Sequence, residues 1–313
     1  MLLRYLQLLR WPNLLLVALT QFLVHEFVFS DAFQTAASAG QTGMAARLSA
    51  WQLSALIFST VCVTAVGYLI NDLHDLKIDL INRPERMLAG RHISIRAVRR
   101  MAWLLGLAGF LSALWLALTV APLYYILLYP LGLAALWLYS ARLKQLGWPG
   151  NLLVSIFCAG VTALVWLAEQ NAWWEFSLRQ SQSAHALQNL LLLYLLFAFL
   201  SNLYREWLKD LQDLPGDKAH GRLTLPVRLG PQKARLWSFG AGLIFLLAVL
   251  LFALQLHLQG KTAAFFFLLL FIAAPLLYSL ATLFKDQSQQ HYKRLAGIAK
   301  FIMLTGVLLI VFL

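Results

Sequence analysis

The chain has 313 residues, 61% of them hydrophobic and 12% charged, with a formal net charge of +12. A soluble domain carries about 25% charged residues, and here apolar runs of about 17–25 residues, long enough to cross the hydrocarbon core, recur throughout. A soluble globular protein is therefore excluded, and with no soluble domain to bear it the positive charge reads as Lys and Arg retained beside a membrane, not as a nucleic-acid surface.

The expected fold is all-α, a multi-span membrane protein forming one integral membrane domain over residues 1–313, with membrane lipid as its surroundings. Nine spans are predicted, near 11–29, 52–70, 97–119, 122–140, 151–169, 188–204, 234–256, 262–284 and 298–313. Arg4 and Arg10 precede a first span longer than a signal-peptide core, and no small-x-small site follows, so it reads as a retained helix. Pro12 suits a first helical turn, and Pro122 implies a tight hairpin between the third and fourth spans. Trp11, Trp51, Trp148, Trp173, Trp174 and Trp237 fall near span ends, as an aromatic belt would. Cys62 and Cys158 lie within apolar spans and read as packing residues. The segments 30–50 and 170–187 are polar and nearly uncharged, which suits exposed connectors. Glu26 and Glu169, at span ends, read as interfacial.

The loops alternate in charge. With the N-terminus on one side, that side holds 22 of the 25 basic residues, and the other holds Arg47, Arg179 and Lys261. The positive-inside rule then puts the N-terminus in the cytoplasm and, after nine crossings, the C-terminus outside.

Charge is spent most heavily in two places. Asp72, Asp75 and Asp79 follow the second span at i, i+3 and i+7, so on a continued helix they share one face. Carboxylates so placed repel one another unless a cation sits among them. Asp210, Asp213 and Asp217 follow the sixth span with the same spacing, and each lies 138 residues after its counterpart. Both sets follow even-numbered spans and so share the cytoplasmic side. The interval predicts two parallel repeats of about four helices, with halves near 1–145 and 146–313, around a central cavity. Pro215 and Gly216 interrupt the second set, which predicts that Asp217 is presented from a turn.

Solvated loops of mixed charge would be the plain explanation, but repeated spacing in a charge-poor chain favours a site. Mg²⁺ takes hard oxygen ligands, holds few carboxylates, and completes its shell with water and substrate phosphate. Two carboxylate sets suit a diphosphate held through Mg²⁺. Interspersed Lys77, Arg83, Arg86, Arg91, Arg205, Lys209, Lys218 and Arg222 suit phosphate oxygens.

The run Asn71-Asp72-x-x-Asp75-x-x-x-Asp79 with Asn82-Arg83-Pro84 resembles the first signature of the UbiA superfamily of intramembrane prenyltransferases. Arg205 to Asp217, with Lys218 and Thr224-Leu225-Pro226, is similar to its second. Tyr139-Ser140-x-x-Leu143-Lys144 and Arg10-x-x-Asn13 fit further family elements. The likeness covers the whole chain, including nine helices. The form Arg205-Glu206-x-x-Lys209-Asp210-x-x-Asp213-x-x-Gly216-Asp217-Lys218 is nearest the branch that alkylates geranylgeranylglyceryl phosphate in ether-lipid synthesis. Leu73-His74 and Met87-Leu88-Ala89-Gly90 depart from the family pattern without touching a presumed metal ligand.

The resemblance implies a Mg²⁺-dependent transfer of a prenyl group, geranylgeranyl by preference, from its diphosphate to a lipid-soluble or amphipathic acceptor. Asp72, Asp75, Asp210 and Asp213, with Asn71, would hold metal, and Asp79 and Asp217 would join or support them. Asn13, Asn71, Arg83, Lys144, Arg205, Lys209 and Lys218 would bind diphosphate. Tyr139, and less directly Tyr68, would face an allylic cation. Prenylation of an aromatic quinone precursor is the alternative reaction, and a membrane transporter the alternative class. A transporter would carry acids at mid-membrane, whereas the span centres here have none.

Overall fold

The computed structural model describes residues 1–38, 48–82, 87–120 and 123–313. Among them, nine helices are long and apolar enough to cross a membrane: Trp11–Thr35, Ala50–Leu80, Ile95–Thr119, Leu123–Ala141, Trp148–Ala168, Ser181–Ala219, Pro231–Leu258, Thr262–Thr282 and Gln289–Phe312. They correspond in order to the nine expected spans. The third and fourth bury the least of themselves, and Trp103, Leu107, Leu111 and Trp137 stand exposed on them. In water such apolar surface would be a liability, and in lipid it is the normal outer face of a bundle. Pro122 lies outside the described residues.

The chain divides into two compact units, one of residues 1–145 with 164–181 and the other of residues 146–163 with 182–313. In the first, the second span packs against the first, third and fourth. Small residues set these approaches. A Cβ on Gly67 would stand 2.9 Å from Leu136 Cδ1, and one on Gly109 would stand 2.5 Å from Cys62 Cβ. The second span does not stop at the apolar boundary but continues as helix to Asn82, carrying all three acids of the first set.

In the second unit the sixth span is helical from Ser181 to Ala219. The expected turn at Pro215 is absent. Proline removes one N–H and crowds the preceding turn, but here it stands one turn from the helix end. The residues after it are fixed by other means: Gly216 and Asp217 are buried, and the Asp217 carbonyl accepts from Arg222 N at 2.9 Å. Tyr204, fully buried, shares a 2.7 Å hydrogen bond with Ser279, tying the sixth span to the eighth.

The expected exposed connectors are partly helical and partly buried. Asp31–Ser38 and Gln170–Arg179 are short helices. Phe33 and Phe176, one on each, are buried with ring centroids 5.3 Å apart. Glu169 is not interfacial. It is fully buried in the first unit, where it accepts from Leu48 N at 3.0 Å and pairs with His25 Nε2 at 3.2 Å. A buried carboxylate is tolerated because those partners occupy it. Both cysteines are free, Cys62 buried and Cys158 half-buried.

Candidate active site

The first acid set lies on one helical face, and two protein cations sit among its members. Arg10 Nη2 donates to Asp72 Oδ1 at 2.5 Å, and its guanidinium lies 4.6 Å from the centroid of the Tyr68 ring. Arg10 is placed by its backbone: it is the one non-glycine residue with positive φ, at 55°, among the described residues, and it turns the short helix Leu2–Leu8 into the first span. Asn13, one turn on, donates to Tyr68 Oη at 3.2 Å. Lys144 donates to Asn71 Oδ1 at 2.8 Å and also to Asp75 Oδ2, while Asn71 Nδ2 donates to that same oxygen at 3.0 Å. Asp75 is buried, and Asp72 and Asp79 are half-buried. Thus Asn13, Asn71, Asp72, Asp75 and Lys144, all predicted from sequence, come together in the first unit. Tyr139 is half-buried on the fourth span. Arg83 lies outside the described residues.

The second set is partnered differently. Asn151 Nδ2 donates to Asp210 Oδ2 at 2.7 Å. Asn151 is itself buried in a small polar chain, with its carbonyl accepting from Ser155 Oγ at 2.7 Å and Ser155 Oγ accepting from Asn202 Nδ2 at 3.2 Å. Glu206, also buried, takes Arg205 Nη1 at 2.8 Å and Lys209 Nζ at 2.7 Å on its two oxygens. Arg222 Nη1 lies 3.5 Å from Asp217 Oδ1. Asp213 is half-buried, and Lys218 is exposed near the end of the helix. Among the described residues no three His, Cys, Asp or Glu gather as a ready metal cage. The carboxylates come in helical pairs, which is the donor supply of a site that relies on its ligand for the rest of the coordination shell.

Three participants have partners that the motifs do not state. Arg10 stands 62 residues from Asp72 in the chain. Glu206 reads as an acid of the motif, yet it serves as the shared acceptor of two cations. Asn151 carries a signal that was there to find: it follows Asn13 by 138 residues, the interval that separates the acid sets, and Trp-Pro precedes both. In one half this asparagine holds a tyrosine, in the other an aspartate.

The protein can be set beside known ones on this geometry. Residues 33–304 match the model of the UbiA prenyltransferase family. The digeranylgeranylglyceryl phosphate synthase of Korarchaeum cryptofilum is 30% identical over 248 residues, covering 79% of this chain and 80% of that relative. Among solved structures, a digeranylgeranylglyceryl phosphate synthase in membranes superposes with a TM-score of 0.63 at 21% identity, over 100% of this chain and 99% of the other. A UbiA homologue from Archaeoglobus fulgidus bound to DMAPP and Mg²⁺ gives a TM-score of 0.53 at 16% identity, over 99% of this chain and 100% of the other. The nine-helix fold, the two acid sets and the match across most of the sequence agree: the chain belongs to the UbiA prenyltransferase family.

Proposed function

We propose that the protein transfers a prenyl group, geranylgeranyl by preference, from its diphosphate to geranylgeranylglyceryl phosphate, forming an ether bond, with Mg²⁺ as cofactor. The observation that carries the reading is the duplicated acid set, each copy on a helix end with its own cations or amide. The family's relatives support the acceptor, and the A. fulgidus homologue, which holds Mg²⁺ together with a prenyl diphosphate, supports the cofactor.

The donor chemistry fits the metal. Asp72 and Asp75 in one half, and Asp210 and Asp213 in the other, are i, i+3 neighbours offering hard oxygens in pairs, and Asn71 adds an amide beside Asp75. Asp79 and Asp217 join or support them. When bound, Mg²⁺ neutralises charge that develops on the departing diphosphate. The protein's own groups do the rest. Arg83, Lys144, Lys209 and Lys218, with Asn13, bind diphosphate oxygens, and Arg205 adds a guanidinium fork for the same diphosphate. Asn151 fixes which way the Asp210 carboxylate turns. As the carbon–oxygen bond to the diphosphate breaks, the allylic carbon gains positive charge, which the face of Tyr139 stabilises. The acceptor's hydroxyl oxygen then bonds to that carbon, and its proton passes to a carboxylate or to the released diphosphate. Apolar spans keep water from taking the acceptor's place. The acid-bearing ends and the N-terminus face the cytoplasm, and the C-terminus lies outside.

The test is prenyl transfer by purified protein with Mg²⁺ and radiolabelled geranylgeranyl diphosphate, offered geranylgeranylglyceryl phosphate, hydroxylated aromatic acids or quinone precursors. The reading predicts an ether product from the first acceptor and traces from the others. A prenylated aromatic as the main product would overturn the acceptor assignment, and no transfer to any acceptor would overturn the reaction.

A further inference from the structure

Glu206 stands on the face of the second acid set but does different work. With Asp210, Asp213 and Asp217 it repeats at intervals of four, three and four residues, so all four share one face of the sixth span. The fifth span fixes that face on both sides of Glu206. One turn toward the acids, Asn151 donates to Asp210, and one turn the other way Asn202 donates to Ser155. Both Glu206 oxygens are taken by cations. Arg205 Nη1 donates to Oε1 at 2.8 Å, and Lys209 Nζ donates to Oε1 at 3.0 Å and to Oε2 at 2.7 Å. Lys209 reaches it along the ordinary i, i+3 row. Arg205 is the adjacent residue, and adjacent side chains leave a helix about 100° apart, so its guanidinium has to turn back around the helix to meet the carboxylate.

The trio is uneven in exposure. The Glu206 side chain is 7% exposed, against 24% for Arg205 and 27% for Lys209. The acid is the buried anchor, and the cations are the open ends. An arginine has five N–H donors and a lysine three, more than one carboxylate can take, and Arg205 keeps a buried Nε–H that has no partner. Two cations on one acid leave a net positive charge with donors to spare, which suits a further anion.

The first half of the chain is built otherwise. At the interval of 138, Tyr68 stands in place of Glu206 and Asn71 in place of Lys209. There the cations lie on the acids of the set themselves, Arg10 on Asp72 and Lys144 on Asp75. In the second half Asp210 takes a neutral amide, while Arg205 and Lys209 are gathered on a carboxylate one turn away.

We infer that Glu206 is a positioning residue, which gathers Arg205 and Lys209 for the diphosphate and keeps them off the acids that take Mg²⁺. The assignment rests on the prenyl-transfer reading and adds to it a residue that acts only through its two neighbours. Lysine and arginine have large rotamer freedom. Cations already gathered on a buried acid spare the diphosphate the cost of ordering them.

The test separates position from charge. Glu206→Asp keeps the charge and withdraws the carboxylate by one methylene, too far to hold both cations. With saturating Mg²⁺, the Kd of inorganic pyrophosphate measured calorimetrically, and the KM of geranylgeranyl diphosphate, should each rise about ten- to a hundredfold. The acceptor KM should stay within about twofold of wild type. In a Lys209→Gln background the same substitution should have an effect at least about threefold smaller, because one of the two cations it positions is gone. Thermal melting in detergent checks the fold, and should Glu206→Asp melt early, Glu206→Gln, which keeps the side chain's length, carries the same cycle. Wild-type pyrophosphate binding by Glu206→Asp, or an effect of full size in the Lys209→Gln background, overturns the assignment and leaves the reaction standing. If the wild type binds pyrophosphate but transfers no prenyl group, the reaction fails, and the binding cycle alone decides the role of Glu206. A wild type that binds no pyrophosphate overturns both.

Discussion

Asn151→Ala removes the amide that donates to Asp210 at 2.7 Å. The bond to Ser155 survives, because Ser155 donates to the Asn151 backbone carbonyl, so the local fold should hold. A hydrogen bond to a charged group contributes about 1.5–3 kcal/mol. If that energy serves to aim Asp210, kcat/KM should fall about ten- to a hundredfold, and half-maximal activity should need more Mg²⁺. Asn151→Asp should be worse, since it sets a second carboxylate against the first. The assay is steady-state prenyl transfer across a Mg²⁺ titration, with thermal melting in detergent as a check on folding. Asn151→Ala within twofold of wild type at both low and saturating Mg²⁺, with melting unchanged, would refute the positioning role.

Two further outcomes test the frame that holds the site. Gly147 has φ of +78°, and a Cβ there would stand 2.6 Å from Leu223 O and 2.8 Å from Thr224 Cα, backbone atoms that cannot swing aside. Gly147→Val should cost at least about 2 kcal/mol, seen as a lower melting temperature, and unchanged melting would show that the Thr224-Leu225-Pro226 segment yields. Glu169→Ala leaves buried His25 Nε2 and Leu48 N without their acceptor and should destabilise by about 3 kcal/mol, whereas Glu169→Gln, which keeps an acceptor for Leu48 N, should cost less. Wild-type melting of both variants would show that the carboxylate does not secure that end of the first unit.

What the sequence revealed follows from the range of the interactions concerned. Spans are set by local hydropathy, so all nine were legible. The helical face shared by Asp72, Asp75 and Asp79 was legible from spacing, given only that the helix runs on past Ile70, as it does to Asn82. The need for a cation among those acids could be argued from charge. Its source could not, because Arg10 and Lys144 reach Asp72 and Asp75 from 62 and 69 residues away. Glu169 misled for the same reason, since its partners His25 and Leu48 are 144 and 121 residues distant. Pro215 misled through a local rule: proline weakens a helix, yet burial of Gly216 and Asp217 and the bonds from Arg222 outweigh one missing hydrogen bond. Phe33 and Phe176 bury polar-looking connectors that composition alone marks as exposed. Asn151 differs from these, because the 138-residue interval already pointed to it through Asn13.

The most direct test of the proposed reaction is prenyl transfer by Asp75→Ala and Asp213→Ala, one acid from each set, measured with Mg²⁺ and geranylgeranyl diphosphate. Each should abolish turnover while expression and melting match wild type. Near wild-type turnover by either would contradict a reaction that needs both sets.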